Sequence, residues 1–100
     1  MVSWSFLGDK WTGECSNLMN TVLRDEWGFR GMVLSDWNGS YGYQITDDFV
    51  RNGNDAMLGF GTQKTNEITN TSPTMVLAMR QAAKNILYTV ANSGNYTIPD

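Results

Sequence analysis

Met32-Val33-Leu34 is apolar at every position, with Gly31 before it and the turn-forming Asp36-Trp37-Asn38-Gly39 just beyond it. A strand with one face in water alternates apolar and polar residues. Continuous apolarity suits a strand buried on both faces, as in a parallel sheet. Two other stretches serve as strand candidates, Met1 to Trp4 and Asp55-Ala56-Met57-Leu58, each opening into polar or glycine-rich residues.

Helices fill the gaps. From Ser16 to Trp27 the apolar positions Leu18, Met19, Val22, Leu23 and Trp27 recur at helical spacing, and Gly28 is placed to stop them. Thr46 to Arg51 reads as a shorter helix, with Asp47 and Asp48 in its first turn, where the helix dipole favours them. The last helix has Ser72 as N-cap and Pro73 at its first position, where a missing N–H costs nothing. Val76, Met79, Ala83, Ile86, Leu87 and Val90 then predict one apolar stripe, with Gly94 as the stop. Met19, Met57, Met75 and Met79 are expected in the core. The order β-α-β-α-β-α implies parallel strands joined by right-handed crossovers. Three such units cannot close a (β/α)8 barrel, which takes about 250 residues. As an open sheet they would leave both edges bare. The expected fold class is therefore α/β, a partial (β/α)8 barrel of three consecutive β-α units.

Composition narrows the chemistry. The 100 residues are 41% hydrophobic and 12% aromatic, as in a folded globular protein. A net charge of −3, with seven scattered basic residues, gives no footprint for nucleic acid or an anionic membrane. Neither a long apolar run nor a basic-then-apolar leader is present, so the chain is expected neither to span a membrane nor to carry its own secretion signal. Cys15 is the single cysteine and its flanks, Glu14 and Ser16, bring no positive charge, which predicts an inert thiol. With no histidine, Ser-His-Asp catalysis and the common zinc sites are excluded within the chain. Carboxylate, tyrosine and lysine remain for acid–base or nucleophilic work.

In a parallel α/β fold, functional groups gather beyond the carboxyl ends of the strands. Three positions qualify: Trp4-Ser5, Ser35-Asp36-Trp37, and Gly59-Phe60-Gly61. Only the middle one offers an acid. Asp36 followed by Trp37 suits a carbohydrate site, in which the acid reacts and the ring covers an apolar sugar face. Asp36 could equally begin an Asx turn with Asn38-Gly39, and Trp37 could equally be a core residue shielding the loop. Asp25 and Glu26, near Arg24 and Arg30, read as a solvated helix face. Asn38-Gly39-Ser40, Asn70-Thr71-Ser72 and Asn95-Tyr96-Thr97 match the glycosylation sequon, as chance allows in a chain rich in Asn, Ser and Thr.

The segment from Leu23 to Trp37 reads as a helix end with Glu26-Trp27-Gly28-Phe29, a glycine, a hydrophobic strand and then Ser35-Asp36-Trp37. It resembles the signature segment of glycoside hydrolase family 3, the β-glucosidase-like enzymes. Gly8 and Trp11-Thr12-Gly13 are similar to the loop before that helix in one bacterial branch. Gly53 to Leu58 resembles the family's Gly-x-Asp-Leu-Met-Leu strand, and Arg80 to Ala82 with Asn85 to Ser93 resembles its closing helix. The resemblance covers about residues 1–93, the C-terminal part of the catalytic barrel, leaving 94–100 as a tail or the start of a linker.

What the resemblance implies is a retaining mechanism in which Asp36 is the catalytic nucleophile. A second carboxylic acid, the acid/base, is usually supplied from outside this stretch, so the partner is expected to be absent here. Asp47 and Asp48 look like helix-start residues, and Asp55 sits at the wrong end of its strand. The resemblance also makes Trp37 a substrate-binding residue, and Trp4 a second one. Trp4 stands where relatives commonly have Tyr or Phe, and Ser5 where they often have Asn. No metal or organic cofactor is implied. The expected partners are a carbohydrate substrate and the rest of a parent enzyme, without which the chain is expected to be inactive, and exposed sheet edges could drive self-association. Two other readings stand beside this one. The first is a non-catalytic α/β binding or assembly module with the family's sequence pattern. The second is an α/β domain for a different small ligand, favoured only by Gly59 and Gly61, which lack the spacing of a nucleotide cradle.

Overall fold

The computed structural model describes residues 1–37, 44–59, 67–94 and 99. It begins with β1 (Phe6–Leu7) and β2 (Lys10–Trp11), a 3-10 turn over Thr12–Glu14 and a π-helix over Asn17–Glu26. The later elements are β3 (Leu34–Trp37), α1 (Thr46–Arg51), β4 (Ala56–Leu58) and α2 (Pro73–Ala91). β3 and β4 pair in parallel, Leu34 opposite Ala56 and Trp37 opposite Leu58, with a register shift between. β3, α1 and β4 make one β-α-β unit with α2 after it, so the class is mixed α/β as expected, but the described residues form two parallel strands and not the three of the expected partial barrel.

Met1 to Trp4 does not form the expected strand. Val2 N–H donates to the Leu34 carbonyl at 2.9 Å, but the next carbonyls turn elsewhere. Ser3 accepts from the Thr12 hydroxyl at 2.7 Å and Ser5 from Thr12 N–H at 3.0 Å. The chain then folds back on itself as the antiparallel hairpin β1–β2, turned at Gly8 (φ +68°), with the Phe6 and Trp11 rings stacked 3.9 Å apart.

β3 also starts later than expected. Met32 N–H donates to Thr89 Oγ1 and Val33 N–H to Asp55 Oδ2, both at 2.7 Å. Side chains thus take the donors that a neighbouring strand would use, and regular pairing begins at Leu34. Asp36 and Trp37 lie inside β3, at its carboxyl end.

The segment expected as an α-helix from Ser16 is a π-helix. Trp27 N–H reaches the Val22 carbonyl, five residues back, at 3.0 Å, a rare ladder at this length. Gly28 (φ +72°) ends it as predicted, while Trp27 itself is 73% exposed. Asn20 Nδ2 donates to the Asn52 carbonyl at 3.3 Å, and Asn20 and Met19 press on Gly53. A Cβ at Gly53, whose φ is +104°, would come within 2.6 Å of Asn20 Oδ1, so only glycine fits this turn without strain.

α2 has its predicted cap: Ser72 Oγ accepts from Met75 N–H, with Pro73 in the first turn. Its buried face is not the predicted one. Met75 and Ala82 are buried with Val50 of α1, and Ala78 packs beside them. Val76, Met79, Leu87 and Val90 of the expected stripe are exposed, as is Leu77. Of the four expected core methionines, Met19 and Met75 are buried, Met57 is half-buried and Met79 is exposed. A second cluster, Val2, Met19, Val33 and Phe49, fills the space between the π-helix, the sheet and α1.

A buried polar knot joins these layers. Arg24 Nη2 pairs with Asp55 Oδ2 at 2.7 Å, with side-chain exposures of only 13% and 2%. Asp55 also accepts from Val33 N–H and, on Oδ1, from Asn85 Nδ2 at 2.9 Å. Arg24 donates further to the carbonyls of Gly31 and Gly53. Asp55 therefore holds the π-helix, the start of β3 and α2 together from the amino end of β4. Asp25 and Glu26 are exposed, as expected of a solvated face.

Candidate active site

The carboxyl end of β3 brings the three predicted site residues together. Asp36 and Trp37 are half-buried, and the Trp4 ring is 42% exposed. Trp4 Nε1 donates to the Trp37 carbonyl at 2.9 Å, across 33 residues of sequence. Asp36 Oδ1 accepts from Trp37 N–H at 2.7 Å. Among the described residues Oδ2 has no hydrogen bond. One carboxylate oxygen is thus held by the backbone.

Ser35, named in the sequence only as part of the Ser35-Asp36-Trp37 triplet and given no role there, ties this strand end to β4. It is fully buried, its hydroxyl donates to the Asp36 carbonyl at 2.7 Å, and it accepts from Leu58 N–H at 2.9 Å. The signal was a hydroxyl residue closing an otherwise apolar strand immediately before the acid. The Asn38-Gly39 turn and its sequon, Phe60-Gly61, and the Asn95-Tyr96-Thr97 sequon lie outside the described residues. Asn70 of the remaining sequon is exposed and its Oδ1 accepts from Ser72 N–H at 2.8 Å.

The other carboxylates that the sequence offers have local duties. Asp47 accepts from Thr69 Oγ1 at 2.6 Å and from the N–H groups of Thr69 and Asn70. These bonds, the Thr69 hydroxyl first, hold its carboxyl below the usual value of 3.8. Asp55 is committed to the knot. Among the described residues no three His, Cys, Asp or Glu side chains converge as a metal site. Hollows of about 480 and 390 Å³ open between the π-helix and α2 and beside the N-terminal segment, and Asp36 lines neither.

Glu14, in the 3-10 turn, has a carboxyl pushed above its usual 4.5. Burial is the main cause, offset by the bond from Ile45 N–H and reinforced by the charge of Asp48. An acid with a raised folded-state pKa binds its proton more tightly when folded. Its contribution to stability is therefore full below 4.5 and is lost as pH rises through the raised value. Glu14→Gln, which keeps an acceptor for Ile45, should raise the Tm slightly at pH 7 and leave it unchanged at about pH 3.5. Thermal melts at the two pH values measure this, and an equal shift at both would contradict it.

Local sequence similarity points to one class of protein, glycoside-cleaving enzymes. A β-glucosidase of Rhizobium radiobacter is 49% identical over 41 residues, which is 41% of this chain and 5% of that protein. Beta-glucosidase A of Butyrivibrio fibrisolvens is 37% identical over 60 residues, 60% of this chain and 7% of that protein. A probable beta-glucosidase J of Emericella nidulans is 39% identical over 41 residues, 41% of this chain and 5% of that protein. The chain thus spans only 5–7% of the length of these relatives. No family model matches, and no solved structure matches significantly. The relationship is glycosidase-like and covers part of the chain.

Proposed function

We propose that this chain is a segment of a retaining β-glycosidase, β-glucosidase-like and of the family 3 type, with Asp36 as its nucleophile. The observation that carries the reading is the Asp36 carboxylate at the carboxyl end of a parallel strand, one oxygen tied to Trp37 N–H. The local likeness to β-glucosidases supports the substrate class, a β-linked glucoside or similar small β-glycoside. In this reading residues 1–93 belong to the C-terminal part of a barrel and 94–100 to a tail or linker.

Oδ2 of Asp36 attacks the anomeric carbon and the glycosidic bond breaks, giving a covalent glycosyl-enzyme. A second carboxylic acid, about 5–5.5 Å from the first, protonates the departing oxygen and then activates water. That acid comes from outside this chain, consistent with the local bonding of Asp47 and Asp55. Trp37 offers its ring to an apolar sugar face, and Trp4 borders the same strand end. The chemistry needs no metal or organic cofactor. The partners are the sugar and the remainder of the enzyme, which would cover the bare strand edges that could otherwise drive self-association.

An activated 2-fluoro glucoside tests the reading, applied to the longest native form of the protein, with intact mass and peptide mapping as the readout. One added glycosyl group is expected on the peptide holding Asp36. A folded protein that takes no label there from several sugar types would leave the non-catalytic module as the better account.

A further inference from the structure

We infer that the Ser35 hydroxyl is a positioning residue that aims the Asp36 carboxylate, an inference that rests on the glycosidase reading. The register between β3 and β4 shifts between Leu34 and Trp37, the stretch that carries the acid. There the Ser35 hydroxyl is inserted between the strands, taking Leu58 N–H of β4 at 2.9 Å and giving its proton to the Asp36 carbonyl at 2.7 Å. The peptide gripped in this way joins Asp36 to Trp37. Its other end is the N–H that holds Asp36 Oδ1 at 2.7 Å. Rotation of this peptide would swing the N–H and with it the carboxylate, so the hydroxyl fixes where Oδ2 points.

Trp4 steadies the next peptide through the Trp37 carbonyl at 2.9 Å, so that both peptides flanking Trp37 are tied by side chains, one by Ser35 within β3 and one by Trp4 from outside it. Ser35 is fully buried, and its own side chain points at the adjoining strand. It acts on the reaction through Asp36. The hydroxyls of serine and threonine can each accept one backbone N–H and donate to a carbonyl at this reach, which alanine cannot. A misplacement of about 1 Å in a reacting group costs on the order of 10²-fold in rate.

The test uses the longest form of the protein that hydrolyses an aryl β-glucoside. Ser35→Ala is expected to lower kcat by about 10²-fold with KM within about threefold, since orientation and not sugar binding is lost. Ser35→Thr restores the hydroxyl and is expected within about threefold of the native kcat. An unchanged kcat in Ser35→Ala, or a Ser35→Thr enzyme as slow as Ser35→Ala, overturns the inference. If Ser35→Ala does not fold, Ser35→Cys, with its weaker donor, is expected between the native and threonine enzymes and inactivity. A Ser35→Cys enzyme of native rate overturns the inference. Asp36→Asn run alongside separates the two levels: full activity there removes the glycosidase reading itself, whereas a dead Asp36→Asn with a native-like Ser35→Ala removes only the role of Ser35.

Discussion

On the proposed reading, Asp36→Asn is expected to cost the full-length protein on the order of 10⁴-fold or more in kcat for an aryl β-glucoside, the scale seen when a covalent nucleophile is removed. Asparagine keeps the shape of the side chain and an oxygen that can still accept Trp37 N–H, so the Tm should stay near that of the native protein. Loss of rate without loss of stability is the signature of a residue that reacts. On the proposed reading the hundred residues alone should hydrolyse no aryl glucoside, because the proton donor is supplied from outside them. Turnover by the pure chain that disappears in Asp36→Asn would place the missing acid inside it. Native activity of the complete protein carrying Asp36→Asn would mean that Asp36 does not react.

Asp55→Ala should have the largest effect on the fold. The substitution strips the partner from Arg24 and leaves Asn85 Nδ2 and Val33 N–H without their acceptor in a site where Asp55 is 2% exposed. Breaking a buried ion pair from one side costs about 3–5 kcal/mol, against a total of about 5–15 kcal/mol for an ordinary domain. The corresponding drop in Tm is about 15–30 °C for a chain of this size. Far-UV circular dichroism melts measure it. A drop of less than about 5 °C would show that water or a neighbour replaces the carboxylate.

The contrast between these two aspartates also shows what could be read from the residues in order. The place of Asp36 at the carboxyl end of a strand was legible because the apolar run and the Ser35-Asp36-Trp37 triplet after it are local. The ends of α2 were legible for the same reason: Ser72, Pro73 and Gly94 act on their immediate neighbours. The face of α2 was not. Met75, Ala78 and Ala82 lie on one side and Val76, Met79, Leu87 and Val90 on another, so apolar spacing alone cannot choose between them. The choice is made by Asn85 and Thr89, which look like surface residues and instead bond Asp55 and Met32. Thr89 also takes Met32 N–H and Asp55 takes Val33 N–H, which delays regular pairing of β3 to Leu34. The tie from Trp4 to Trp37 and the hydroxyl bridge of Ser35 depend on contacts 33 and 23 residues apart, which no local pattern encodes. The five-residue ladder of the π-helix is hidden likewise, because its apolar spacing reads as an ordinary helix.

The outward row Val76, Leu77, Met79, Leu87 and Val90 on α2 has a thermal consequence. Heat capacity rises on unfolding in proportion to the apolar surface newly wetted, typically by about 1.2–1.5 kcal/mol/K for 100 residues. These side chains are already about half wet in the folded chain, so they add less to that rise than buried ones would. The stability of the chain on its own should therefore vary with temperature along a flatter curve than its length implies. The same helix, with that row covered by further structure, would regain the steeper curve of a fully packed domain.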